Sequence, residues 1–250
     1  MRDAASVLYG RNTVSEALKG DTTVERIFLL DGNHDGVLGN IFKETKKRGI
    51  RVDFVGKDRL DEMTHNGKHQ GVCAYISAFE YAEVDDILNR AKEKGEDPFI
   101  ILLDDIVDPH NLGAIIRSAN VCGAHGVIIP KNNAAGLTDT AAKAAEGALS
   151  YTPVARVTNL SRTIDELKEQ GIWFACADMG GEAAYQQNLT GPIGLVIGNE
   201  GKGVSPLVKK KCDFVTSIPV KGEIESLNAS VAAGVLMYEV VRQRTAVDKA

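Results

Sequence analysis

Two small polar residues, Ser226 and Asn228, stand one residue apart where an apolar run ending at Pro219 gives way to an almost wholly apolar helix. Either alone reads as an N-cap, a side chain that satisfies the free N–H groups of a helix start. Both together, just before V-A-A-G-V-L (231–236), suggest more. Two other loops carry comparable groups. In L-L-D-D-I-V-D-P-H-N-L-G-A-I-I-R (102–117), Asp108-Pro109 makes a turn and Asn111 is placed to cap the helix that follows. Gly113 lies one turn before Arg117, and a helical side chain leans back over the turn N-terminal to it. Arg117 is therefore expected to reach over Gly113 toward Asn111. A lone helical arginine is by default solvated, but Ile115, Ile116 and Ala119 mark this helix as largely buried. In G-L-V-I-G-N-E-G-K-G-V-S-P (194–206), Glu200 sits among Gly198, Gly201 and Gly203, and Ser205 caps a helix whose first residue is Pro206. Glycines there let a ligand approach the backbone, unless the loop is only a tight turn with Glu200 exposed. It is not a P-loop, because Val204 stands where lysine is required, and it is not a G-x-G-x-x-G dinucleotide fingerprint.

These loops need elements to hold them. Residues 1–77 alternate helix and strand: a helix with a Thr13/Glu16 capping box that stops at Gly20, strands at 24–30, 51–55 and 71–77, and helices ending at Gly49 and near 64. This predicts a small α/β domain. Residues 78–98 read as a charged, mostly helical acidic linker closed by Gly95 and Pro98. Residues 99–250 alternate again. Strands are predicted at 99–104, 126–130, 153–157, 172–178, 194–198 and 214–219. Helices are predicted from about Asn111, at 139–149, at 160–170 and from about Ser226. Continuous apolar strands, each followed by a helix, predict an α/β fold with a mostly parallel sheet covered on both faces. In such sheets ligands bind at the carboxyl ends of strands. The loops after Leu103, Ile197 and Ile218 are therefore the candidates.

The totals exclude little but shape the expectation. The 250 residues are comfortable for two domains. No apolar run approaches a membrane span and the N-terminus shows no apolar h-region, which points to the cytoplasm. Cys73, Cys122, Cys176 and Cys212 are far apart, and the five histidines form no H-E-x-x-H pattern, so no bound metal is expected. Net charge is −5, mildly against a nucleic-acid partner. Most of that excess sits in residues 78–98, with three basic against seven acidic side chains. Basic runs survive at Lys43–Arg51 and at Lys209-Lys210-Lys211, though each alone reads as a solvated helix face.

Taken together, N-L-G-x-x-x-R (111–117), I-G-N-E-G-x-G (197–203) and I-P-V…S-L-N-A-S-V-A (218–232) resemble the three motifs of the SpoU class of SPOUT RNA methyltransferases. Residues 8–77, ending in H-Q-G-V (69–72), resemble the L30e-like substrate-binding domain of ribosomal-RNA ribose methyltransferases. Within the class the chain is most similar to the branch that methylates a guanosine 2′-hydroxyl in 23S rRNA. The resemblance implies a deep C-terminal trefoil knot, bound S-adenosylmethionine and a homodimer formed through the knotted domain. It implies a catalytic set of Asn111, Arg117, Glu200, Ser226 and Asn228. It also implies cofactor contacts from Ile197, Gly198, Gly203, Ile218, Pro219 and Leu227. Arg117 would be the general base or, since a guanidinium normally stays protonated, a phosphate clamp. Members of this branch often carry serine in the stretch matching Ala144-Ala145-Glu146-Gly147, where this chain has Ala145. RNA contacts are expected from Arg11, Asn12, Lys68, His69 and Gln70, unless 67–71 is only a Gly-flanked turn. The competing readings are a different rRNA or tRNA nucleotide as target, a non-catalytic RNA-binding accessory protein, and an NAD-type oxidoreductase, which the missing fingerprint disfavours.

Overall fold

The computed structural model describes residues 6–20, 22–32, 36–77 and 79–247. Residues 1–5 of the expected N-terminal domain, Ala78 at the expected linker start and residues 248–250 lie outside the described residues. The chain divides into two compact units, Met1–Glu80 with Gly136–Asp139, and Tyr81–Ala135 with Thr140–Ala250.

The first unit runs β1 (Ser6–Tyr9), α1 (Arg11–Lys19), β2 (Val24–Leu30), α2 (Val37–Lys47), β3 (Arg51–Val55), α3 (Lys57–Met63) and β4 (Val72–Ile76). Its mixed sheet has the order β1-β4-β2-β3, with β2 and β3 parallel and the other pairs antiparallel. Val14, Leu18, Ile27, Leu29, Ile41 and Val72 fill its core. Two expectations are corrected. The strand β1 was not foreseen, because four residues are too few to show a period. The Thr13/Glu16 capping box does not form. The chain turns at Gly10 (φ 91°) and α1 begins at Arg11, two residues before Thr13, with no side-chain cap.

The second unit runs α4 (Val84–Lys94), β5 (Phe99–Leu103), α5 (Pro109–Val121), β6 (Gly126–Pro130), α6 (Asp139–Ala145), β7 (Val154–Val157), α7 (Leu160–Lys168), β8 (Trp173–Ala183), β9 (Ile193–Ile197), α8 (Pro206–Lys211), β10 (Phe214–Ser217) and α9 (Ala229–Val247). The six strands are all parallel, in the order β10-β8-β9-β5-β6-β7. Every residue of β5 and β9 is buried, which is why they read as unbroken apolar runs. The stretch read as a linker carries α4, whose Ile87 is wholly buried beside Ile100, Leu102 and Ile128 in the core of this unit.

Several boundaries differ from expectation for local reasons. α6 stops at Ala145 because Glu146 (φ 44°) and Gly147 (φ 86°) are both left-handed. β8 runs five residues past Asp178, and its register against β10 shifts between Val215 and Thr216. Gly181 packs on the Val215 backbone there with no room for a Cβ. α9 begins at Ala229 rather than Ser226. It is not buried all round, since Val231, Val235 and Tyr238 are exposed.

One buried polar group ties the sheet to the pH. His125 is wholly buried at the start of β6. Its Nδ1 accepts the Phe99 N–H (3.0 Å), which leaves Nε2 to donate to Glu96 Oε2 (3.1 Å). Burial depresses its pKa, with the Glu96 carboxylate pulling the other way. The fold therefore favours neutral imidazole. Its contribution is complete above the ordinary histidine range and is lost as pH falls through that range toward the depressed value. We expect the urea midpoint to fall between pH 7.5 and 5.5, and His125→Asn, which keeps an acceptor for Phe99, to flatten that slope. An unchanged slope would assign the pH dependence to other groups.

Candidate active site

The loops after β5, β9 and β10 meet at one polar network. Asp108, not Asn111, caps α5: its Oδ1 accepts the His110 N–H at 3.0 Å, and Pro109 at the first helical position has no N–H to satisfy. Asn111 is thereby released into the first turn, where it is buried. Its Nδ2 donates to Glu200 Oε1 (2.5 Å) and its Oδ1 accepts from Asn228 Nδ2 (2.9 Å). The same Asn228 Nδ2 lies 3.2 Å from Glu200 Oε1, and the Ala229 N–H donates to that oxygen at 3.3 Å. The other end of Asn228 caps α9, accepting from the Ser230 N–H (3.0 Å) and the Ser230 hydroxyl (2.6 Å). A carboxylate beside this helix start also meets the positive end of its dipole. Asn228 is thus both cap and staple, joining segments 28 and 117 residues away.

The glycines of the β9 loop serve mainly the loop itself. Asn199 and Gly203 exchange backbone hydrogen bonds (3.2 and 2.8 Å), and Asn199 Oδ1 accepts from Gly201 N–H (3.0 Å). A Cβ on Gly198 would overlap the Gly203 backbone, and Gly203 needs φ 67°. A Cβ on Gly201 would meet only Asn199 Oδ1, at 3.6 Å. Ser205 stands at the start of α8 without a side-chain cap bond, and its N–H donates to Asp104 Oδ2 at 2.8 Å.

Beside this network lies a cavity of about 220 Å³. Of the residues named above as cofactor contacts, Ile197, Gly198, Gly203, Ile218 and Leu227 line it and Pro219 does not. Ser226, exposed, stands on its lining, as do Glu200 and Glu225. Ala232 and Leu236 of α9 close the apolar side. Asp178, Met179 and Thr216 also line it and were not foreseen. The strand predicted at 172–178 ends at Asp178, so the strand-end rule points there too, although β8 itself continues to Ala183. Lys209 donates to Asp178 (Nζ–Oδ2 2.9 Å) and holds its carboxyl below the usual range. The Thr216 hydroxyl is buried without a partner. Apolar walls with carboxylates beside them suit a ligand that is flat and apolar at one end and cationic at the other.

Arg117 does not join the network. It lies six residues after Asn111, roughly 240° around the helix and about 9 Å along it. Its NH1 pairs instead with Glu146 Oε1 at 3.0 Å, with both side chains largely exposed. Gly113 is not a passage for Arg117. The Ala141 carbonyl and the Ala144 side chain of α6 pack there, leaving no room for a Cβ. The missing side chain makes space for a neighbouring helix. As an exposed pair, Arg117–Glu146 is worth ~0–1 kcal/mol. A left-handed non-glycine residue such as Glu146 costs ~1–2 kcal/mol.

In the first unit, Arg11, Asn12, Lys68 and Gln70 are exposed. Arg11 clasps Gln70 through its N–H to Oε1 (3.0 Å) and its Nε to the Gln70 carbonyl (3.1 Å). His69 is 7% exposed. Its Nδ1 accepts the Gly71 N–H (3.0 Å), so Nε2 donates to Asp61 (3.0 Å). Both ring nitrogens are engaged inside the unit, so His69 shapes the turn rather than offering a contact. Of the Lys209–Lys211 run, Lys209 pairs with Asp178 and Lys211 with Asp165 (2.6 Å).

The double role of Asn228 can be split. Asn228→Ala removes cap and staple and should lower stability by ~1–3 kcal/mol in urea denaturation at pH 7. Asn228→Asp keeps the cap acceptor but sets a second carboxylate against Glu200. It should also destabilise, and Glu200→Gln in the same chain should restore much of the loss. Additive effects in that double variant would refute the staple.

Comparison with known proteins joins this geometry to a family. A profile of the SpoU rRNA methylase family matches residues 98–238. One described as RNA 2′-O ribose methyltransferase substrate binding matches residues 7–82. A Bacillus subtilis protein named for the TrmH family of tRNA/rRNA methyltransferases, YacO, is 49% identical over 240 residues, covering 95% of this chain and 96% of its own. The crystal structure of the SpoU methyltransferase AviRb from Streptomyces viridochromogenes, in complex with S-adenosylmethionine, aligns with a TM-score of 0.61 at 26% identity, over 96% of this chain and 90% of that one. Asn111, Glu200 and Asn228 all lie within the residues that the SpoU profile matches: the chain belongs to the SpoU methylase family and is an S-adenosylmethionine-dependent RNA methyltransferase.

Proposed function

We propose that the protein methylates the 2′-hydroxyl of a guanosine ribose in 23S ribosomal RNA. The observation that carries this reading is the convergence of all three motif loops on one network beside one cavity. A ribose-methyltransferase substrate-binding profile over the first unit supports the choice of the ribose oxygen. Relatives named for both tRNA and rRNA make another rRNA or tRNA nucleotide the second reading. The chain's membership of a methyltransferase family speaks against the remaining expectation, a non-catalytic accessory role. We also propose a trefoil-knotted path for the second unit and a homodimer built on it. The exposed apolar residues Val231, Val235 and Tyr238 of α9 would suit that interface. We place the protein in the cytoplasm with its RNA. Among the described residues no helix is long and apolar enough to cross a membrane.

The cavity fits the cofactor: Ile197, Ile218, Leu227 and Leu236 offer walls for an adenosyl group, and Asp178, Glu200 and Glu225 offer carboxylates to its cationic end. S-adenosylmethionine supplies an activated methyl on a sulfonium. The chain must position a weak nucleophile and accommodate its proton. In this reading Asn111, Glu200 and Asn228 hold the cofactor loops in place, and Ser226, exposed at the cavity, faces the reacting groups. Arg117 serves as the phosphate clamp. Its contact with Glu146 supports this reading, because a guanidinium that already pairs with one anion can pair with another. Positioning then supplies most of the acceleration. Exposed Arg11, Asn12, Lys68 and Gln70 offer the RNA contacts of the first unit.

Mapping 2′-O-methylation on rRNA and tRNA from cells with and without the protein should show one 23S guanosine losing its methyl group. An unchanged map would sink the reading, and a lost tRNA methyl would favour the alternative. Arg117→Ala should lower kcat ~100-fold or more, whereas Arg117→Lys should retain part of the activity. Wild-type turnover in Arg117→Ala would remove the arginine from the reaction.

A further inference from the structure

Glu146 is placed where local energetics disfavour it. It follows directly on α6, where a carboxylate faces the negative end of the helix dipole. Its backbone is left-handed at φ 44°, a conformation that glycine adopts freely and glutamate does not. α6 cannot slide to relieve this. Ala141 and Ala145 are wholly buried, and Ala141 and Ala144 press on Gly113 of α5. What the strained turn achieves is to deliver a carboxylate oxygen 3.0 Å from Arg117 NH1. The pair bridges two helices at an exposed surface, with Arg117 54% and Glu146 63% exposed, so it adds little to the fold. It does give the guanidinium a preferred partner.

We propose that Glu146 is a positioning residue that stands in for a backbone phosphate of the RNA: it holds Arg117 in the free enzyme and yields it when the substrate binds. The inference rests on the reading of Arg117 as the phosphate clamp. Carboxylate and phosphate present similar pairs of oxygens to the guanidinium fork. The arginine is thus pre-oriented before RNA arrives, and RNA that offers no phosphate at that point must leave the carboxylate in place. The device trades affinity for discrimination.

The experiment has two arms. In the first, the rate of phenylglyoxal modification of Arg117 is followed by mass spectrometry in the dimer or monomer as purified. Glu146→Gln should label faster than the wild type, Glu146→Asp should stay close to it, and unmodified 23S transcript should protect Arg117 in both variants. In the second arm, transcript binding and methyl transfer are measured. Glu146→Gln should bind about two- to five-fold more tightly, the scale of one exposed ion pair, with KM lowered and kcat unchanged. Glu166→Gln, which frees Arg162 from a comparable exposed pair (2.7 Å), is the control for a general change of charge. Equal tightening in Glu166→Gln, or unaltered Arg117 labelling in Glu146→Gln, would overturn the proposal. If the wild type neither binds nor methylates the transcript, the functional reading has failed, and transfer RNA then replaces the transcript in the protection arm.

Discussion

One carboxylate oxygen organises the second unit's functional end. Glu200 Oε1 accepts from two side-chain amides and from the first N–H of α9, so the loops after β5, β9 and β10 share a single acceptor. Asn111 and Ala229 are buried, and an unmet buried donor costs more than a made hydrogen bond returns. Asn228 and Glu200 are exposed, so water can meet their groups when the tie opens. The cavity keeps its shape because three loops that share no sequence neighbourhood are tied at one point. The Gly198–Gly203 backbone contact supplies the matching tie within the middle loop. The network's polar atoms are largely spent on one another, which gives Asn111 and Asn228 a holding role and leaves Ser226 open to the cavity.

Much of this was legible in the residues because burial writes itself into strands. Phe99–Leu103 and Ile193–Ile197 are buried on both faces and read as unbroken apolar runs, so the parallel sheet and its strand-end loops follow directly. Val24–Leu30 and Arg51–Val55 were placed to the residue by the turn signals around them. What was not legible depended on which of two partners a residue takes. Asn111 is a sound cap by type, but Asp108 with Pro109 behind it is a better one, and only the competition decides. β1 is too short to carry a pattern and exists because β4 offers it an edge.

Arg117 shows the same limit more sharply. The sequence gives an arginine one turn after a glycine, and the gap over that glycine has two possible tenants: the arginine of the same helix or the backbone of another. Small residues at 141, 144 and 145 identify α6 as the tenant, yet nothing local connects 113 with 141. The motif resemblance points to five residues, and the structure separates them into a stapled trio, an exposed serine and a distant, paired arginine.

The staple also sets an order in time. Asn111 lies 117 residues before its partner Asn228, and α9 provides the cavity wall at Ala232 and Leu236. A chain emerging from the ribosome can complete β5, α5 and the Glu200 loop while the cavity still lacks a wall and the shared acceptor two of its donors. Contacts so distant in sequence form late and slowly. The cavity is thus incomplete until synthesis has passed α9.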